Sequence, residues 1–247
     1  MCPPPPQAGI VKPAALIGAL AIGVAAWLVS TSPGTTGATS VNASASGSKA
    51  PAGRARRVGP VPVVRQVFRN NCETAALSMI LAAAGRPVDQ RALQQAVAKS
   101  GPLDPIVASD GTWVWGDPDR GFVGRAAGGG TAGGFGVYQG PIRRLAAVHG
   151  VALADLSRRP VEDIYARVAR GRPVMAWVGL SEGPYRRWST PAGKTVGVNF
   201  GEHTVVLVGM RGTGLLVNDP LVGERVVWSR ATFERRWSLL GRRALGL

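Results

Sequence analysis

The chain has 247 residues and a mass of 25.6 kDa, which allows one domain of good size or two small ones. Its 29 lysines and arginines against 14 acidic residues give a net charge of +15, and its two histidines and two cysteines are too few and too widely spaced for a zinc finger, an iron–sulfur cluster or a disulfide scaffold. A mean hydropathy of +0.10 with 45% apolar residues excludes a wholly disordered chain.

The N-terminal part of the chain is predicted to be a targeting segment followed by a linker. Residues 1–13 form a short tail with Lys12 as its only charged side chain, and residues 14–30 carry no charge, which is typical of a signal anchor or a signal peptide. Residues 31–57 are rich in Ser, Thr, Gly and Ala and are predicted to be a disordered linker. The positive-inside rule then places the tail in the cytoplasm and the rest of the chain outside. The sequence leaves open whether the protein stays anchored through residues 14–30 or is secreted after cleavage.

Residues 58–247 are predicted to form the folded domain. In chain order the patterns predict helices over 73–84, from 89 to about 99, over 141–148 and over 161–170, then strands over 174–178, 203–210, 215–219 and 224–228, and a closing helix near 231–237. Residues 101–140 are predicted to be rich in loops. Helices followed by an antiparallel sheet indicate an α+β fold.

The charge of this domain argues against nucleic acid as a partner. It holds 24 basic and 14 acidic residues, a net charge of +10, and the basic residues occur as scattered arginine pairs rather than as one stripe. Nucleic-acid binding requires a concentrated basic face with interleaved aromatic residues. A basic surface attracted to an anionic cell envelope or membrane is favoured instead.

Cys72 is the candidate nucleophile. It lies at the N-terminal end of the first predicted helix, where free N–H groups and the helix dipole are expected to favour the thiolate and to lower the pKa of the thiol. Cys2 precedes the apolar segment, so the exported domain is expected to hold Cys72 as a single thiol without a disulfide partner.

Three further residues complete a candidate site. His203 opens an apolar strand 131 residues after Cys72, a separation that agrees with that of nucleophile and base in papain-type enzymes, and Asp219 ends the next strand. With a three-residue turn over 211–213, Asp219 pairs with residue 205 and shares a face with His203, whereas a two-residue turn would place them on opposite faces. Gln66, six residues before the cysteine, is the candidate side-chain donor to an oxyanion, with the cysteine N–H as the second donor.

Other polar residues are weaker candidates. His149 ends a helix and is predicted to be structural. Glu202 points to the strand face opposite His203 and is a poorer orienting residue than the aspartate, and Asp117 and Asp119 are typical of a turn. The glycine-rich stretch at 128–136 is no phosphate-binding loop, because no strand precedes it and no Lys-Ser/Thr follows. Four aromatic residues are read as cleft lining or, by preference, as core: Trp113, Trp115, Phe122 and Tyr138.

The motifs around these residues resemble those of the bacterial papain-like cysteine peptidases of family thirty-nine, which include peptidases that cut bacteriocin leaders after a double glycine and many standalone exported domains. The resemblance covers about residues 62–240. It is carried by Gln66, Asn71-Cys72-Glu73-Thr74-Ala75-Ala76-Leu77-Ser78-Met79, His203-Thr204-Val205-Val206-Leu207-Val208-Gly209 and Val217-Asn218-Asp219-Pro220. Glu73 stands where the family often has glycine, which bears on the local fit of the substrate.

The resemblance implies a papain-like fold, with N-terminal helices packed on an antiparallel β-sheet, that needs neither a metal nor an organic cofactor. It implies Cys72 as nucleophile, His203 as general base and acid, Asp219 as the residue that orients the imidazole, and Gln66 in the oxyanion hole. The prediction is therefore an exported, monomeric cysteine peptidase that cuts a peptide or protein, a cell-wall peptide among the candidates, through an acyl-enzyme.

Two alternatives remain open at this point. A peptidoglycan amidase or acyltransferase would use the same triad on a different acyl group. A catalytically silent module on the same fold would bind a peptide or a cell-wall strand, and its Cys72 would have an ordinary pKa.

Overall fold

The computed structural model describes residues 58–247, and its elements alternate between helices and short strands at first. The first part holds α1 (Cys72–Ala83), α2 (Gln90–Ala96), β1 (Ile106–Val107), β2 (Trp113–Val114), β3 (Val123–Gly124), β4 (Gly134–Gly136) and α3 (Gln139–Val148). The second part holds β5 (Ala154–Asp155), α4 (Val161–Ala169), β6 (Val174–Gly179), β7 (Tyr185–Ser189), β8 (Thr195–Asn199), β9 (Glu202–Arg211), β10 (Gly214–Asp219), β11 (Glu224–Trp228), α5 (Arg230–Ser238) and β12 (Ala244–Gly246).

A six-stranded sheet organises these elements. Its strand order is β11-β10-β9-β6-β12-β5, and each neighbouring pair is antiparallel. A four-stranded sheet of order β1-β2-β7-β8 and a two-stranded sheet of β3 and β4 accompany it within the described residues. The α+β fold predicted from the order of helices and strands is confirmed.

The large sheet buries apolar side chains on both of its faces. Along β9, Val206 belongs to the core that contains the apolar residues of α1, whereas Val205 and Leu207 belong to a second core with residues of α4 and α5. Successive side chains of a strand point to opposite faces, so this alternation assigns α1 to one face and α4 with α5 to the other. The sheet is therefore the middle of three layers, and the C-terminal helices cover the face that the N-terminal helices leave open.

Helix α1 is the central helix of the first core. Eleven of its twelve residues are buried, which is typical of a helix enclosed on all sides. It ends in a Schellman motif, in which Gly85 with φ of +64° donates to Ala82 O and Arg86 donates to Leu81 O at 2.8 Å. The predicted end of the helix at Gly85 is confirmed.

Most of the other predicted elements agree with the structure, and the differences have physical reasons. The second helix ends at Ala96 rather than near Lys99, because Val97 is extended and Lys99 forms a β-bridge with Phe122. The β7–β8 hairpin was not predicted, since β7 carries two consecutive exposed arginines, Arg186 and Arg187, and so shows no regular alternation of apolar and polar residues. The preference for core over cleft lining is confirmed for Trp115 and Tyr138, whereas Phe122 belongs to the core and also lines a pocket, and Trp113 packs against the core partly buried.

The predicted tail, apolar segment and linker, residues 1–57, lie outside the described residues. Within residues 58–247, no helix combines the length and the apolar character needed to cross a bilayer.

Candidate active site

The loop before α1 holds Cys72 in place. Cys72 is the first residue of the helix and is 5% exposed. Asn71 accepts from the Phe68 N–H at 2.8 Å through its side-chain oxygen and donates to Gln90 Oε1 at 2.9 Å. The backbone and side chain of Asn70 donate to carbonyl oxygens of the segment that follows β3. The two asparagines therefore tie the loop to α2 and to that segment, which fixes the backbone that carries the thiol.

Gln66 lies in the same loop, next to the chain that follows Asp219. Its N–H donates to Pro220 O at 2.8 Å, and its side-chain Nε2 donates to Phe68 O at 3.0 Å and to Arg69 O at 2.9 Å. Its Oε1 is buried without a hydrogen-bond partner among the described residues. Both side-chain N–H groups thus bond to carbonyls of the loop in this arrangement.

His203 and Asp219 form a buried hydrogen-bonded pair. Nε2 of His203 lies 2.7 Å from Oδ1 of Asp219, and that oxygen also accepts from the Leu221 N–H at 2.9 Å. Burial raises the pKa of Asp219, but the bond and the charge of His203, with the N–H groups of Leu221 and Val222, outweigh it and lower the pKa below its ordinary value. The aspartate is therefore ionised at neutral pH and can orient the imidazole.

The turn between β9 and β10 is shorter than predicted. Gly214 pairs with Arg211, so the turn contains two residues, 212 and 213, rather than three. In a regular ladder with this register, Asp219 would point to the face opposite His203, because a slip of one residue exchanges the two faces of a strand.

A β-bulge restores the pairing that the site requires. The register shifts between Leu216 and Val217, where Val208 of β9 is the additional residue. Beyond this point the register sets Asp219 opposite residue 205, the pairing on which the sequence prediction depended. The expectation that a two-residue turn would separate the histidine from the aspartate was wrong, since the bulge supplies the missing residue.

The thiol of Cys72 points to two carboxyl groups that the sequence prediction did not place beside it. Sγ lies 3.5 Å from Glu73 Oε2 and 3.9 Å from Glu202 Oε2. The other oxygen of Glu202 accepts from the Thr204 hydroxyl at 3.1 Å. Among the described residues, the hydrogen bonds of Cys72 Sγ involve these two carboxyl groups and the Thr204 N–H, and not His203, which lies on the opposite face of β9.

The Glu73 carboxyl lies against the end of β4 and the residue that follows it. Its Oε1 accepts from the Val137 N–H at 2.5 Å. Gly136 has φ of +116°, and a Cβ at this position would lie 2.2 Å from Glu73 Oε1 and 3.3 Å from Glu202 Oε2. The glycine therefore leaves the room that the two carboxyl groups take up.

Burial and the two carboxyl groups set the protonation of the site. Burial, the Glu202 charge and the Glu73 charge raise the pKa of Cys72 well above its ordinary value, and an N–H of Thr204 only partly opposes them. Burial raises the pKa of Glu73 to about 7, and burial with the Glu73 charge raises that of Glu202. The expectation of a lowered thiol pKa at the helix N-terminus is wrong for this arrangement, because these effects exceed the helix dipole.

Cys72, Glu73 and Glu202 also form the group of possible metal ligands among the described residues, with ligand atoms within 4.8 Å of one another. The sequence does place both glutamates next to candidate site residues, since Glu73 follows the cysteine and Glu202 precedes His203. It could not show that α1 and β9 bring them together.

The weaker candidates lie where the sequence predicted. His149 follows α3 as its C-terminal cap, and its N–H donates to Ala146 O. Asp117 accepts from the Asp119 N–H in a turn, and both aspartates bind the Lys194 ammonium, at 2.9 and 3.4 Å. Neither aspartate contributes to the Cys72 environment described above.

Comparison with known proteins places this chain in a family. The model of the Peptidase_C39 like family matches residues 58–245. The uncharacterized protein YvpB of Bacillus subtilis strain 168 is 32% identical over 180 residues, which cover 71% of this chain and 68% of YvpB. A crystal structure of a C39-like peptidase from Bacillus anthracis is 30% identical, with a TM-score of 0.64, and the match covers 75% of this chain and 93% of that one. The match extends over almost all of the described residues, and the chain therefore belongs to the Peptidase_C39 like family.

Proposed function

We propose that this protein is a cysteine peptidase that hydrolyses peptide bonds through an acyl-enzyme on Cys72. The observation that carries the proposal is the 2.7 Å bond between His203 Nε2 and Asp219 Oδ1 on β9 and β10, since β9 is also the strand on which α1, the helix that begins at Cys72, packs. This bond engages Nε2, so Nδ1 is the ring nitrogen left to exchange a proton with the thiol. In the described arrangement His203 lies on the face of β9 opposite to α1, so the proposal requires that substrate binding brings the imidazole to Sγ. Membership of a peptidase family supports peptide hydrolysis in general.

The reaction follows the chemistry of an activated thiol. His203 takes the proton of the Cys72 thiol, and Sγ attacks the carbonyl carbon of the substrate while the carbonyl oxygen takes up the negative charge. The tetrahedral intermediate collapses as His203 returns the proton to the leaving amine nitrogen and the C–N bond breaks. Water then attacks the thioester, gives its proton to His203 and releases the acid, and the proton returns to Sγ. Asp219 stabilises the imidazolium in each step.

The oxyanion requires donors beside Cys72. Gln66 and the cysteine N–H are the proposed pair. In the described arrangement the amide of Gln66 bonds to two loop carbonyls, so the proposal requires that substrate binding releases one of its N–H groups to the oxyanion.

A pocket beside the loop before Cys72 supports a peptide as the substrate. It has a volume of about 490 Å³, and its apolar wall includes Phe68, Leu103 and Phe122. Arg91 stacks on Phe68 and Lys99 on Phe122, at 5.2 and 5.6 Å from the ring centroids. We expect the pocket to accept an apolar side chain of the substrate and its cationic rim to favour a peptide with acidic residues nearby.

The proposed place of action is outside the cytoplasm. Residues 14–30 would act as a signal anchor or a signal peptide, and residues 31–57 would be the linker that separates them from the peptidase domain.

A catalytically silent binding module is the second candidate function. The contact of the Cys72 thiol with Glu73 and Glu202 favours it, because both carboxyl groups oppose the formation of a thiolate. Such a module would bind peptide in the same pocket and form no covalent intermediate.

Hydrolysis by the full-length protein separates the two functions. Unfolded protein substrate and peptide libraries are digested with the wild-type chain, His203→Ala and His149→Ala, and the products and the Cys72 adducts are identified by mass spectrometry. The proposal expects a thioester adduct in the wild type, a loss of at least about 100-fold in His203→Ala, and a rate within about twofold of wild type in His149→Ala, since a general base contributes on the order of 100-fold or more. Peptide binding with neither product nor adduct would establish the silent module instead.

A further inference from the structure

Strand β7 bonds to β8 along one edge, and its other edge is open over most of its length. At the end of this hairpin the Thr190 N–H donates to Lys194 O at 2.8 Å. Bonded residues alternate along an antiparallel pair, so the even-numbered residues of β7 bond to β8. The N–H and C=O groups of Tyr185, Arg187 and Ser189 therefore point to the open edge.

Strand β2 covers only the last residue of the open edge. Its pairing with β7 consists of Val114 opposite Ser189, and the Trp115 N–H donates to Ser189 O at 2.9 Å. Within residues 58–247, no backbone bond extends this pairing to Arg187 or Tyr185. These two residues thus present unpaired backbone donors and acceptors, with which another extended chain can pair.

A groove lies along the open edge. One wall consists of residues 111–113, at the start of β2, and the other of residues 186–189, with Thr195 of β8 beside them. Its volume is about 470 Å³, within the range of about 300–1,000 Å³ that is usual for ligand sites. A Cβ at Gly111 would meet no atom within 4 Å, and Trp113 gives this wall an apolar surface. The groove therefore has space for a short extended segment and a surface on which its apolar side chains can pack.

Two arginines give the groove a positive charge. Arg186 and Arg187 are exposed, and successive side chains of a strand point to opposite faces, so one guanidinium lies on each side of the open edge. None of the ion pairs among the described residues includes either arginine, and no acidic side chain of that part of the chain lines the groove. Asp110, beside Gly111, accepts from the N–H and the hydroxyl of Thr112 at 2.9 and 2.7 Å. The two guanidinium groups are therefore available to carboxylates of another molecule.

The arginines also decide which chain can occupy the groove. Charged side chains on an edge strand prevent pairing with other sheets, which protects a protein from aggregation. Arg186 and Arg187 oppose a basic chain in the same way, but they attract one that carries carboxylates. Residues 1–57 contain no aspartate or glutamate, so the acidic segment belongs to another molecule.

We propose that this groove binds an extended acidic peptide, which adds a strand along the open edge of β7. The backbone of the peptide bonds to the N–H and C=O groups of Arg187 and Tyr185, and its carboxylates pair with the guanidinium groups of Arg186 and Arg187. The main-chain bonds hold any extended chain, whereas the arginines select an acidic one. No step of the proposed hydrolysis uses this groove, so the inference goes beyond the proposed function and does not depend on it.

The first test measures the charge preference. Fluorescence anisotropy follows a labelled peptide of alternating Glu and Val as it binds to the full-length chain carrying Cys72→Ser, which lacks the thiol that hydrolysis would require. We expect saturable binding that is at least about fivefold weaker when Arg186→Gln and Arg187→Gln are added together, since exposed ion pairs contribute up to about 1 kcal/mol each. Arg211→Gln, at the exposed end of β9, is the matched control and should bind within about twofold of the parent. Equal affinity for a peptide with Lys in place of Glu, or no effect of the double substitution, would overturn the proposal.

The second test separates strand addition from attraction by charge alone. Arg187→Gln and Arg187→Pro lose the same charge, but only proline also loses the N–H that points to the groove. That N–H makes no bond to β8, and proline is tolerated on an edge strand when its missing N–H faces outward. We expect the proline variant to bind the Glu–Val peptide at least about threefold more weakly than the glutamine variant, as the loss of one hydrogen bond implies.

Equal affinities of these two variants would overturn the proposal. If circular dichroism shows that the proline variant does not fold, hydrogen exchange of the parent replaces it. The Arg187 N–H should then exchange at least about fivefold more slowly with the peptide bound, and an unchanged rate would refute strand addition. Binding is measured without catalysis, so a bound peptide without hydrolysis by the wild type refutes only the peptidase, and hydrolysis without binding in the groove refutes only this inference.

Discussion

At the scale of single residues, the environment of Cys72 is a competition between opposed electrostatic effects. A helix N-terminus favours a negative charge by about 0.3–1 kcal/mol, or somewhat more when partly buried. Against it stand the burial of Sγ and the charges of Glu73 and Glu202, which together raise the pKa of the thiol. The position of a cysteine in a helix therefore does not by itself determine its reactivity.

The raised pKa of Glu73 predicts a pH-dependent stability. The folded protein holds the Glu73 proton up to about pH 7, whereas the unfolded chain releases it near the ordinary value of 4.5. Between these values the folded state binds more protons, so stability falls as the pH rises through this window, and the penalty is complete above it. Glu73→Gln removes the penalty and is expected to raise the free energy of unfolding at pH 8 by on the order of 3 kcal/mol, with little change at pH 4.

Urea denaturation of the wild type and Glu73→Gln at pH 4 and pH 8 measures this difference, with Glu162→Gln as the control at both pH values. A glutamine variant that is less stable than the wild type at pH 8 would contradict the prediction. It would mean that the carboxylate bond to the Val137 N–H outweighs the cost of burying the charge.

At the scale of elements, the site depends on two irregularities of the backbone. The bulge at Val208 brings Asp219 onto the face of His203, and the positive φ of Gly136 lets β4 approach the carboxyl groups of α1 and β9. A hairpin without the bulge would point Asp219 away from His203, and a side chain at position 136 would overlap the Glu73 carboxyl. Either change would disrupt the site although each helix and strand could still form.

Gly136→Ala tests the second irregularity. Its Cβ would meet Glu73 Oε1 at 2.2 Å, so we expect a loss of about 2–4 kcal/mol from backbone strain and overlap together, and displacement of the Glu73 carboxyl from Cys72. Gly129→Ala is the matched control, because Gly129 has φ of +82° with no atom within 4 Å of its Cβ and so reports the backbone strain alone. Thermal denaturation of both variants measures the difference, and equal losses would show that Gly136 is needed only for its φ.

At the scale of the whole molecule, the large sheet separates two kinds of surface. The face that packs on α1 carries Glu202 beside Cys72, and the face that packs on α4 and α5 carries His203 and Asp219 and builds a second core. The net charge of +10 in residues 58–247 is compatible with action near an anionic envelope.

Export is the prediction at this scale. The test is a fusion of residues 1–57 to an alkaline phosphatase that is active only outside the cytoplasm. We expect this fusion to show phosphatase activity in a bacterial host. A fusion with residues 14–30 deleted is the control and should be inactive. Equal and low activity from both fusions would contradict the export of this chain.

Much of the domain could be predicted from local patterns. Alternation along residues 203–210 and 215–219 indicated two strands, the Gly85 cap ended the first helix, and the order of elements indicated the α+β class. The β7–β8 hairpin was missed, because its strands turn one polar face to solvent and bury only a few residues of the other.

By itself, the sequence determined where the elements that carry the candidate residues begin, since a cysteine at the start of an apolar helix and a histidine at the start of an apolar strand are local features. Only the tertiary structure decided which groups touch the thiol. Glu73 and Glu202 are 129 residues apart and meet because α1 packs on β9, while the His203–Asp219 bond depends on a bulge that no turn pattern indicates. Distance in space, burial and strand register follow from packing of the whole chain, and these quantities set the protonation of Cys72.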